Sequence, residues 1–298
     1  MEDYKHLSEK AKAKLSLTQD ERVESIKRVR WFGYSRAEAI LEKLEDLLKY
    51  PKRDRMPSLL IFGSQNNGKT KIARRFESKH PSFDNPRGAG VSVPVLYIRA
   101  PTKPDENLFY NDILTKLSAP FKSSAKPAQK YGQVIGIFKR VDLRVLIIDE
   151  IQDPIAGPED KKREFLKLIK NISNEVQIPI VGVGIKTAVS AIHTDPHLAS
   201  RFEMAPLPTW KMDEEFLKLL KSFEKVIPLK KPSRLTETSM ATKLHSMSEG
   251  LIGELSNLLD KAAEYAIKKN IEQITKHALD SVGWVYPSER RKTAERVV

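Results

Sequence analysis

The sequence contains no cysteine among its 298 residues. Disulfide bonds, thiolate metal sites and cysteine nucleophiles are therefore excluded, and this lack agrees with a reducing cytoplasm. The chain also lacks a hydrophobic run of membrane-spanning length, and its first residues show no secretory signal pattern. We therefore expect a cytoplasmic protein with no membrane partner.

Acidic residues are too few to balance the basic ones. The chain has 52 lysines and arginines against 39 aspartates and glutamates, which gives a formal net charge of +13. Such an excess favours a polyanionic partner, nucleic acid first, although a basic surface can also serve solubility alone. Hydrophobic residues make up 40% of the chain, which is enough for one large globular domain and a smaller one.

Four apolar runs alternate with helical patterns in the first two thirds of the chain. The runs predict strands at residues 58–62, 91–98, 145–148 and 178–183. Apolar residues at helical spacing predict a crossover helix at residues 161–176, between the last two of these strands. The alternation predicts an α/β fold in which helices cover a parallel sheet.

The pattern divides the chain into four segments. Residues 1–30 are polar and mixed in charge, and we interpret them as an N-terminal basic arm. Residues 31–209 contain the strands and form the α/β domain. The strands then stop, and two stripes of apolar residues predict a small helical lid domain at residues 210–286. Residues 287–298 form a charged tail.

A loop of the form G-x-x-x-x-G-K-T follows the first predicted strand. It comprises Gly63, Ser64, Gln65, Asn66, Asn67, Gly68, Lys69 and Thr70, and Lys71 comes next. The glycines let backbone N–H groups wrap around phosphates at the start of a helix. We expect the lysine to contact the β and γ phosphates and the threonine hydroxyl to bind Mg²⁺. The motif predicts ATP binding.

An acidic pair ends the third predicted strand, in V-L-I-I-D-E. Asp149 is predicted to hold the magnesium shell and Glu150 to polarise the attacking water. Two carboxylates could instead cap the next helix, but the phosphate loop favours the catalytic interpretation. Arg201, in L-A-S-R-F, is the candidate for an arginine that stabilises charge on the γ phosphate, often delivered by a neighbouring subunit. Tyr34 is a candidate to cover the adenine ring.

The order of these motifs resembles that of an AAA+ ATPase. Four stretches are also similar to the TniB family, which includes the TnsC-like regulators of DNA transposition. They are R-M-P-S-L-L-I-F-G-S-Q-N-N-G-K-T at 55–70, L-I-I-D-E-I-Q at 146–152, I-P-I-V-G-V-G at 178–184 and S-E-G-L-I-G-E at 248–254. The resemblance implies a P-loop AAA+ domain with a parallel five-stranded sheet, followed by a small helical lid.

The resemblance also implies a function. Such a protein would hydrolyse ATP slowly, oligomerise on double-stranded DNA as a helical filament or ring, and mark a target site. It would recruit a DDE-type transposase and a TniQ-type targeting protein. Lys103, in A-P-T-K-P, and then Lys122, Lys126 and Lys130 are the candidates for phosphate contacts with DNA. For each lysine, a solvated surface charge is the alternative.

The sequence departs from the AAA+ pattern in two places. Many AAA+ lids carry an arginine that senses the γ phosphate, but the matching stretch here offers Gly253 and Glu254. The residues after the fourth predicted strand offer no clear polar sensor, and Thr187 is the candidate there. Two other functions stay open: an AAA+ ATPase of the helicase-loader type, and a DNA-binding scaffold that holds ATP without hydrolysing it.

Overall fold

The structure is a computed structural model that describes residues 4–28, 31–85 and 90–297. Residues 1–3, 29 and 30 of the predicted arm and residue 298 of the predicted tail lie outside the described residues. The strands are β1 (Ser58–Gly63), β2 (Phe83–Asp84), β3 (Val91–Ser92), β4 (Val95–Arg99), β5 (Val145–Asp149), β6 (Ile180–Gly184) and β7 (Phe202–Leu207).

Fifteen α-helices and a 3₁₀ helix, Ala13–Ser16, accompany these strands in the described residues. The α-helices are α1 (Glu9–Lys12), α2 (Gln19–Lys27), α3 (Ser35–Lys49), α4 (Lys69–Lys79), α5 (Glu106–Lys116), α6 (Pro127–Arg140), α7 (Gln152–Ile155), α8 (Glu159–Val176), α9 (Lys186–His193), α10 (Pro196–Ala199), α11 (Glu214–Val226), α12 (Thr238–Ser248), α13 (Ile252–Lys268), α14 (Lys276–Ser281) and α15 (Pro287–Val297). None of those in the described part of the chain is both long and apolar enough to cross a bilayer.

Five strands form one parallel sheet in the order β4-β5-β6-β1-β7. Every residue of β5 and β6 is buried, as expected for parallel strands that are covered on both faces. The expected parallel five-stranded sheet is therefore confirmed. Because the strands run parallel, the residues that follow β1, β4, β5 and β6 meet at one edge of the sheet.

Two strands differ from the sequence prediction. The run predicted at residues 91–98 forms two strands, because β3 pairs antiparallel with β2 in a separate small sheet and only β4 joins the large one. The fifth strand of the large sheet is β7, which the apolar runs did not predict. Its burial is interrupted by exposed residues, and it contains Pro206, which is compatible with its position at the edge of the sheet.

The chain divides into two compact units, and the sheet lies in the unit formed by Ser35–Leu207. Its core contains the apolar faces of the strands and of the helices around them. The crossover helix predicted at residues 161–176 is α8, which buries Phe165, Ile169 and Ile172. These side chains recur along one face of the helix, and this periodicity fixes the side that packs on the sheet.

The other unit is helical and consists of Met1–Tyr34 together with Pro208–Val298. Helix α2 is preceded by the N-cap residue Thr18, whose side chain forms a capping box with that of Glu21. Val23 and Ile26 of this helix belong to the same hydrophobic core as α11, α12 and α13. The described part of the predicted arm is therefore a packed component of the helical unit.

The segment predicted as a charged tail contains helix α15. Ser288 N donates to Glu249 Oε1 at 2.9 Å, and the Arg290 guanidinium pairs with the buried carboxylate of Glu254. The indole N–H of Trp284 donates to the carbonyl of Met247 at 2.8 Å. These contacts attach the start of α15 to the helical unit, and they engage Glu254 in an ion pair.

Candidate functional site

The phosphate loop connects β1 to α4 and has the backbone shape that its sequence predicts. Asn66 (φ 55°) and Gly68 (φ 87°) both adopt left-handed conformations, and α4 starts at the next residue. A Cβ atom on Gly63 would lie 2.2 Å from the carbonyl oxygen of Leu207, so this position requires glycine. Backbone N–H groups in such a loop form a concavity that binds anions.

Lys69 is folded into this concavity. Its Nζ donates to the carbonyl oxygens of Gly63 at 3.0 Å and of Ser64 at 2.6 Å, and the residue is only 8% exposed. Burial lowers the pKa of Lys69, and the charges of Glu150 and Asp149 oppose that shift. The ammonium thus lies where a phosphate would compete with two carbonyl oxygens for its protons.

The other loop residues fall into two groups. Asn67 is buried, and its Nδ2 donates to the carbonyl of Leu207 at 2.8 Å, which fixes the loop to the end of β7. The side chains of Ser64, Gln65, Asn66 and Lys71 are exposed. Their predicted roles in binding the nucleotide stay predictions.

Thr70 and Asp149 come together across the sheet edge. The hydroxyl of Thr70 donates to Asp149 Oδ2 at 2.8 Å, and Asp149 is 3% exposed. A hydroxyl and a carboxylate are hard oxygen donors, the type that Mg²⁺ binds. The chemistry of these two residues therefore fits the predicted magnesium site.

Tyr97 and Arg74 adjoin this pair, although the motifs did not identify them. The phenol of Tyr97, on β4, donates to the same Asp149 Oδ2, and the Arg74 guanidinium carbon lies 3.5 Å from the centre of the Tyr97 ring. Burial, together with the hydrogen bond to Asp149, raises the pKa of Tyr97, so its phenol stays protonated at neutral pH. In the sequence, the feature that could have identified Tyr97 is its place as a polar-tipped residue inside an apolar strand.

Glu150 follows Asp149 in a left-handed conformation with φ of 54°. Such a conformation costs a residue with a side chain about 1–3 kcal/mol and occurs often at functional sites. Its backbone N–H donates to Asp149 Oδ1 at 2.9 Å. The carboxylate accepts a hydrogen bond from Gln152 Nε2 at 2.5 Å. This glutamine ends the TniB-like stretch at 146–152, but the sequence analysis gave it no role.

Arg201 and the phosphate loop lie at opposite ends of the parallel strands. Arg201 precedes β7, and the parallel register pairs Ser58 with Phe202 but Gly63 with Leu207. Five residues of strand separate the two ends by roughly 17 Å, which is more than an arginine side chain spans. Arg201 Nη1 donates to Asn174 Oδ1 at 2.6 Å. Arg201 is therefore not brought together with Lys69 and Glu150 of the same chain.

Three of the four predicted DNA-contacting lysines are exposed. Lys103 lies in the loop after β4, Lys122 lies in the loop before α6, and Lys126 is the N-cap residue of α6. Lys130 differs, because it is 2% exposed and its Nζ donates to the carbonyl of Ser123 at 3.0 Å. The prediction of a phosphate contact for Lys130 is thus corrected: its charge stabilises the preceding loop from inside.

Two predicted residues remain, Tyr34 and Thr187. Tyr34 belongs to the helical unit, where its ring packs edge-on against Trp210 with 5.0 Å between ring centres. Its predicted contact with adenine stays a prediction. Thr187 is exposed on α9, immediately after the loop that follows β6.

Comparison with known proteins identifies a family. The family model described as "Bacterial TniB protein" matches residues 22–212, which is more than half of the chain. A search of curated protein sequences found no match.

Solved structures with a similar fold include proteins from Aeropyrum pernix and Drosophila. The Aeropyrum pernix ORC2 protein in its ADPNP–ADP complexes has a TM-score of 0.63 at 17% identity, over 87% of this chain and 70% of that one. The Aeropyrum pernix ORC1 protein in complex with DNA has a TM-score of 0.56 at 16% identity, over 87% and 68%. Drosophila ORC bound to DNA has a TM-score of 0.58 at 13% identity, over 90% and 65%. The shared fold is that of AAA+ proteins.

Proposed function

The chain belongs to the TniB family, and on that premise we propose that it is an AAA+ ATPase that regulates DNA transposition. With ATP and Mg²⁺ it oligomerises on double-stranded DNA as a helical filament or ring and marks the target site. It then recruits a DDE-type transposase and a TniQ-type targeting protein. The proposal is carried by the meeting of Lys69, Thr70, Asp149 and Glu150 at one sheet edge in a chain of this family.

Each residue of this cluster has a distinct part in hydrolysis. The Lys69 ammonium neutralises β and γ phosphate oxygens, which replace the carbonyl oxygens of Gly63 and Ser64 as its partners. Thr70 and Asp149 would hold Mg²⁺, which when bound neutralises charge on the phosphates. Glu150 orients the attacking water and accepts its proton.

Oligomerisation completes the site. Arg201 lies too far from the phosphate loop of its own chain, so it serves the nucleotide of a neighbouring subunit. Hydrolysis is therefore slow in the monomer and coupled to assembly. The exposed Lys103, Lys122 and Lys126 face the DNA backbone, and contacts of this kind bind duplexes of any sequence. The ORC1 and Drosophila ORC structures, which contain DNA, support DNA binding by a protein of this fold.

Assembly on duplex DNA is the direct test. We expect sedimentation and electron microscopy to reveal oligomers only when ATP and double-stranded DNA are both present. A protein that stays monomeric with both ligands rules the proposal out. Retention on an immobilised DDE-type transposase, against an immobilised hexameric helicase, then separates transposition from the helicase-loader alternative.

Phosphate release separates the ATPase from a scaffold that holds ATP without hydrolysing it. We expect the wild-type protein to release phosphate when DNA is present and Glu150→Gln to retain ATP binding without release. The substitution removes the charge of the carboxylate and keeps its size. Equal rates for the two proteins favour the scaffold.

A further inference from the structure

A glutamine side chain extends the connection between β5 and β6 beyond their backbone pairing. After β5, Ile151 N donates to the carbonyl of Val183 at 3.0 Å. Beyond that bond, Gln152 Oε1 accepts from the backbone N–H of Ile185 at 3.2 Å, and Gln152 Nε2 donates to Glu150 Oε2 at 2.5 Å. The amide group of Gln152 thus joins Glu150 to the segment that follows β6.

The surroundings hold this amide in one place. Gln152 is 8% exposed, and its Nε2 also donates to Asp153 Oδ1 at 3.0 Å. A Cβ atom on Gly184 would lie 2.6 Å from Gln152 Oε1, so the glycine leaves the space that the amide fills. Glu150 presents its carboxylate from a left-handed backbone conformation. The burial of Gln152, the space beside Gly184 and the backbone conformation of Glu150 therefore all favour the hydrogen bond between Gln152 and Glu150.

Capping of the adjacent helix does not account for this arrangement. Gln152 is the first residue of the four-residue helix α7, and the N-cap residue Ile151 provides no side-chain cap. The contacts of the Gln152 amide are directed to Glu150, Asp153 and Ile185, and none of them reaches an N–H group of the first turn in the described residues. The amide binds a carboxylate at the proposed reaction centre and the end of a neighbouring strand.

We propose that Gln152 is a positioning residue for Glu150. Its amide N–H fixes the carboxylate that orients the attacking water, and its carbonyl oxygen ties that carboxylate to the backbone after β6. This role rests on the proposed ATPase function. Residues 184–187, which follow β6, offer no clear polar sensor. Gln152, which follows β5, therefore supplies the polar side chain that connects this segment to Glu150.

The hydrogen bond itself is tested in the full-length protein without nucleotide. Gln152→Glu keeps the size and the acceptor and replaces the amide donor with a charged carboxylate oxygen, so two carboxylates face each other. We expect its thermal unfolding midpoint to fall by about 2–4 °C. Adding Glu150→Gln reverses donor and acceptor, and we expect the double variant to recover at least half of the loss. A double variant as unstable as Gln152→Glu alone overturns the proposal.

Gln177→Glu is the matched control, because Gln177 Nε2 donates to Asp54 Oδ1 at 3.3 Å on the exposed surface. Adding Glu150→Gln to this control restores nothing. If Gln152→Glu does not fold, the double variant decides: a folded double variant supports the pairing, and an unfolded one overturns it.

DNA-stimulated ATP hydrolysis tests the positioning role. We expect Gln152→Glu to lower kcat about 100-fold with KM for ATP unchanged, since a misplacement of about 1 Å can cost that much. Gln177→Glu should match the wild type. An unchanged kcat, or a loss confined to KM, overturns the proposal. If the wild-type protein releases no phosphate, the proposed ATPase function fails. The unfolding midpoints of Gln152→Glu with and without Glu150→Gln, measured without nucleotide, still decide whether the two side chains are paired.

Discussion

Gly63, at the start of the phosphate loop, lies directly beside the end of β7. A Cβ atom at this position would lie 2.2 Å from the backbone carbonyl oxygen of Leu207, and backbone atoms in a paired strand cannot move aside easily. We therefore expect Gly63→Ala to lower the free energy of unfolding by about 1–3 kcal/mol. Urea denaturation followed by circular dichroism measures this change.

Gly136→Ala is the control for this substitution, and its expected effect has the opposite sign. Gly136 lies inside α6, and a Cβ atom there would meet nothing within 4 Å. Alanine is favoured over glycine in a helix interior by roughly 1 kcal/mol, so the variant should be slightly more stable than the wild type. Equal effects of the two substitutions would show that the contact with β7 is unimportant.

Lys69 carries the positive charge of the phosphate loop. We expect Lys69→Ala to weaken ATP binding by about 1.5–3 kcal/mol, which is the usual contribution of a hydrogen bond to a charged group. Equilibrium titration with a fluorescent ATP analogue measures the affinity. Lys79→Ala, at the exposed end of the same helix, should bind the analogue as the wild type does. Similar affinities for both variants would remove Lys69 from the binding site.

The sequence predicted the residues of the site whose spacing is local. The distance along the chain from Gly63 to Thr70 is short, so the loop motif identified both ends, and Asp149 followed from its position after an apolar strand. Tyr97 was missed because its partner Asp149 comes from another segment of the chain. Gln152 was missed because its bond to Ile185 joins it to a distant segment and its local bond to Glu150 follows no motif. Lys130 looked like a surface charge, and only the structure reveals that it is buried and donates to the backbone carbonyl of Ser123.

Helix α2 is attached to the rest of the helical unit by a buried ion pair. Arg22 donates to both carboxylate oxygens of Glu272, at 2.8 and 2.6 Å, and also to the carbonyl of Pro228 at 2.6 Å. Only 4% of the arginine side chain and 10% of the glutamate side chain are exposed. Arg22→Met would leave a buried carboxylate unpaired, so we expect a loss of about 3–5 kcal/mol in urea denaturation.

Arg234→Met is the matched control, because Arg234 pairs with Glu237 on the exposed surface and its loss should cost less than about 1 kcal/mol.

The pH dependence of stability gives a second check on the pair of Arg22 and Glu272. Burial alone would raise the pKa of Glu272, but hydrogen bonds from Arg22 and from the Lys230 N–H outweigh it, and the pKa is lowered. The pair therefore stabilises the protein above the unfolded pKa of about 4.3, and the stabilisation disappears as the pH falls through the lowered value. A difference between wild type and Arg22→Met that persists unchanged into acid would contradict this cause.

The elements differ in how well their sequences identified them. Strand β5 is apolar up to Asp149, β6 contains only aliphatic residues and glycine, and both strands are buried, while α8 has a strong 3.6-residue period. Each of the three elements was therefore predicted close to its observed bounds. Strand β7 lies at the edge of the sheet, where exposed residues and Pro206 interrupt the apolar pattern. The position of α2 in the helical unit depends on Arg22 and Glu272, which lie far apart in sequence, and no local pattern encodes that contact.

At the scale of the whole molecule, the proposed function assigns Arg201 to the nucleotide of a neighbouring subunit, because this residue lies far from the phosphate loop of its own chain. We expect Arg201→Ala to bind ATP normally and to lose DNA-stimulated turnover, because the arginine acts on a neighbouring nucleotide. Mixing Arg201→Ala with Glu150→Gln subunits should recover part of the activity, since some interfaces then combine an intact Glu150 with an intact Arg201. Phosphate release from the mixture measures this recovery. A mixture as inactive as its components contradicts action between subunits.

The proposed binding of DNA by a chain with a net charge of +13 should weaken steeply as the salt concentration rises. Each lysine that neutralises a phosphate contributes about 0.9 to the slope of log affinity against log salt concentration. We therefore expect Lys103→Ala, Lys122→Ala and Lys126→Ala each to reduce the slope by about 1, with little change in sequence preference. Lys218→Ala, which removes an exposed lysine paired with Glu214 and Glu215, should leave the slope unchanged. Fluorescence anisotropy with duplex DNA at several salt concentrations gives the slopes, and equal slopes for all four variants would place the DNA elsewhere on the protein.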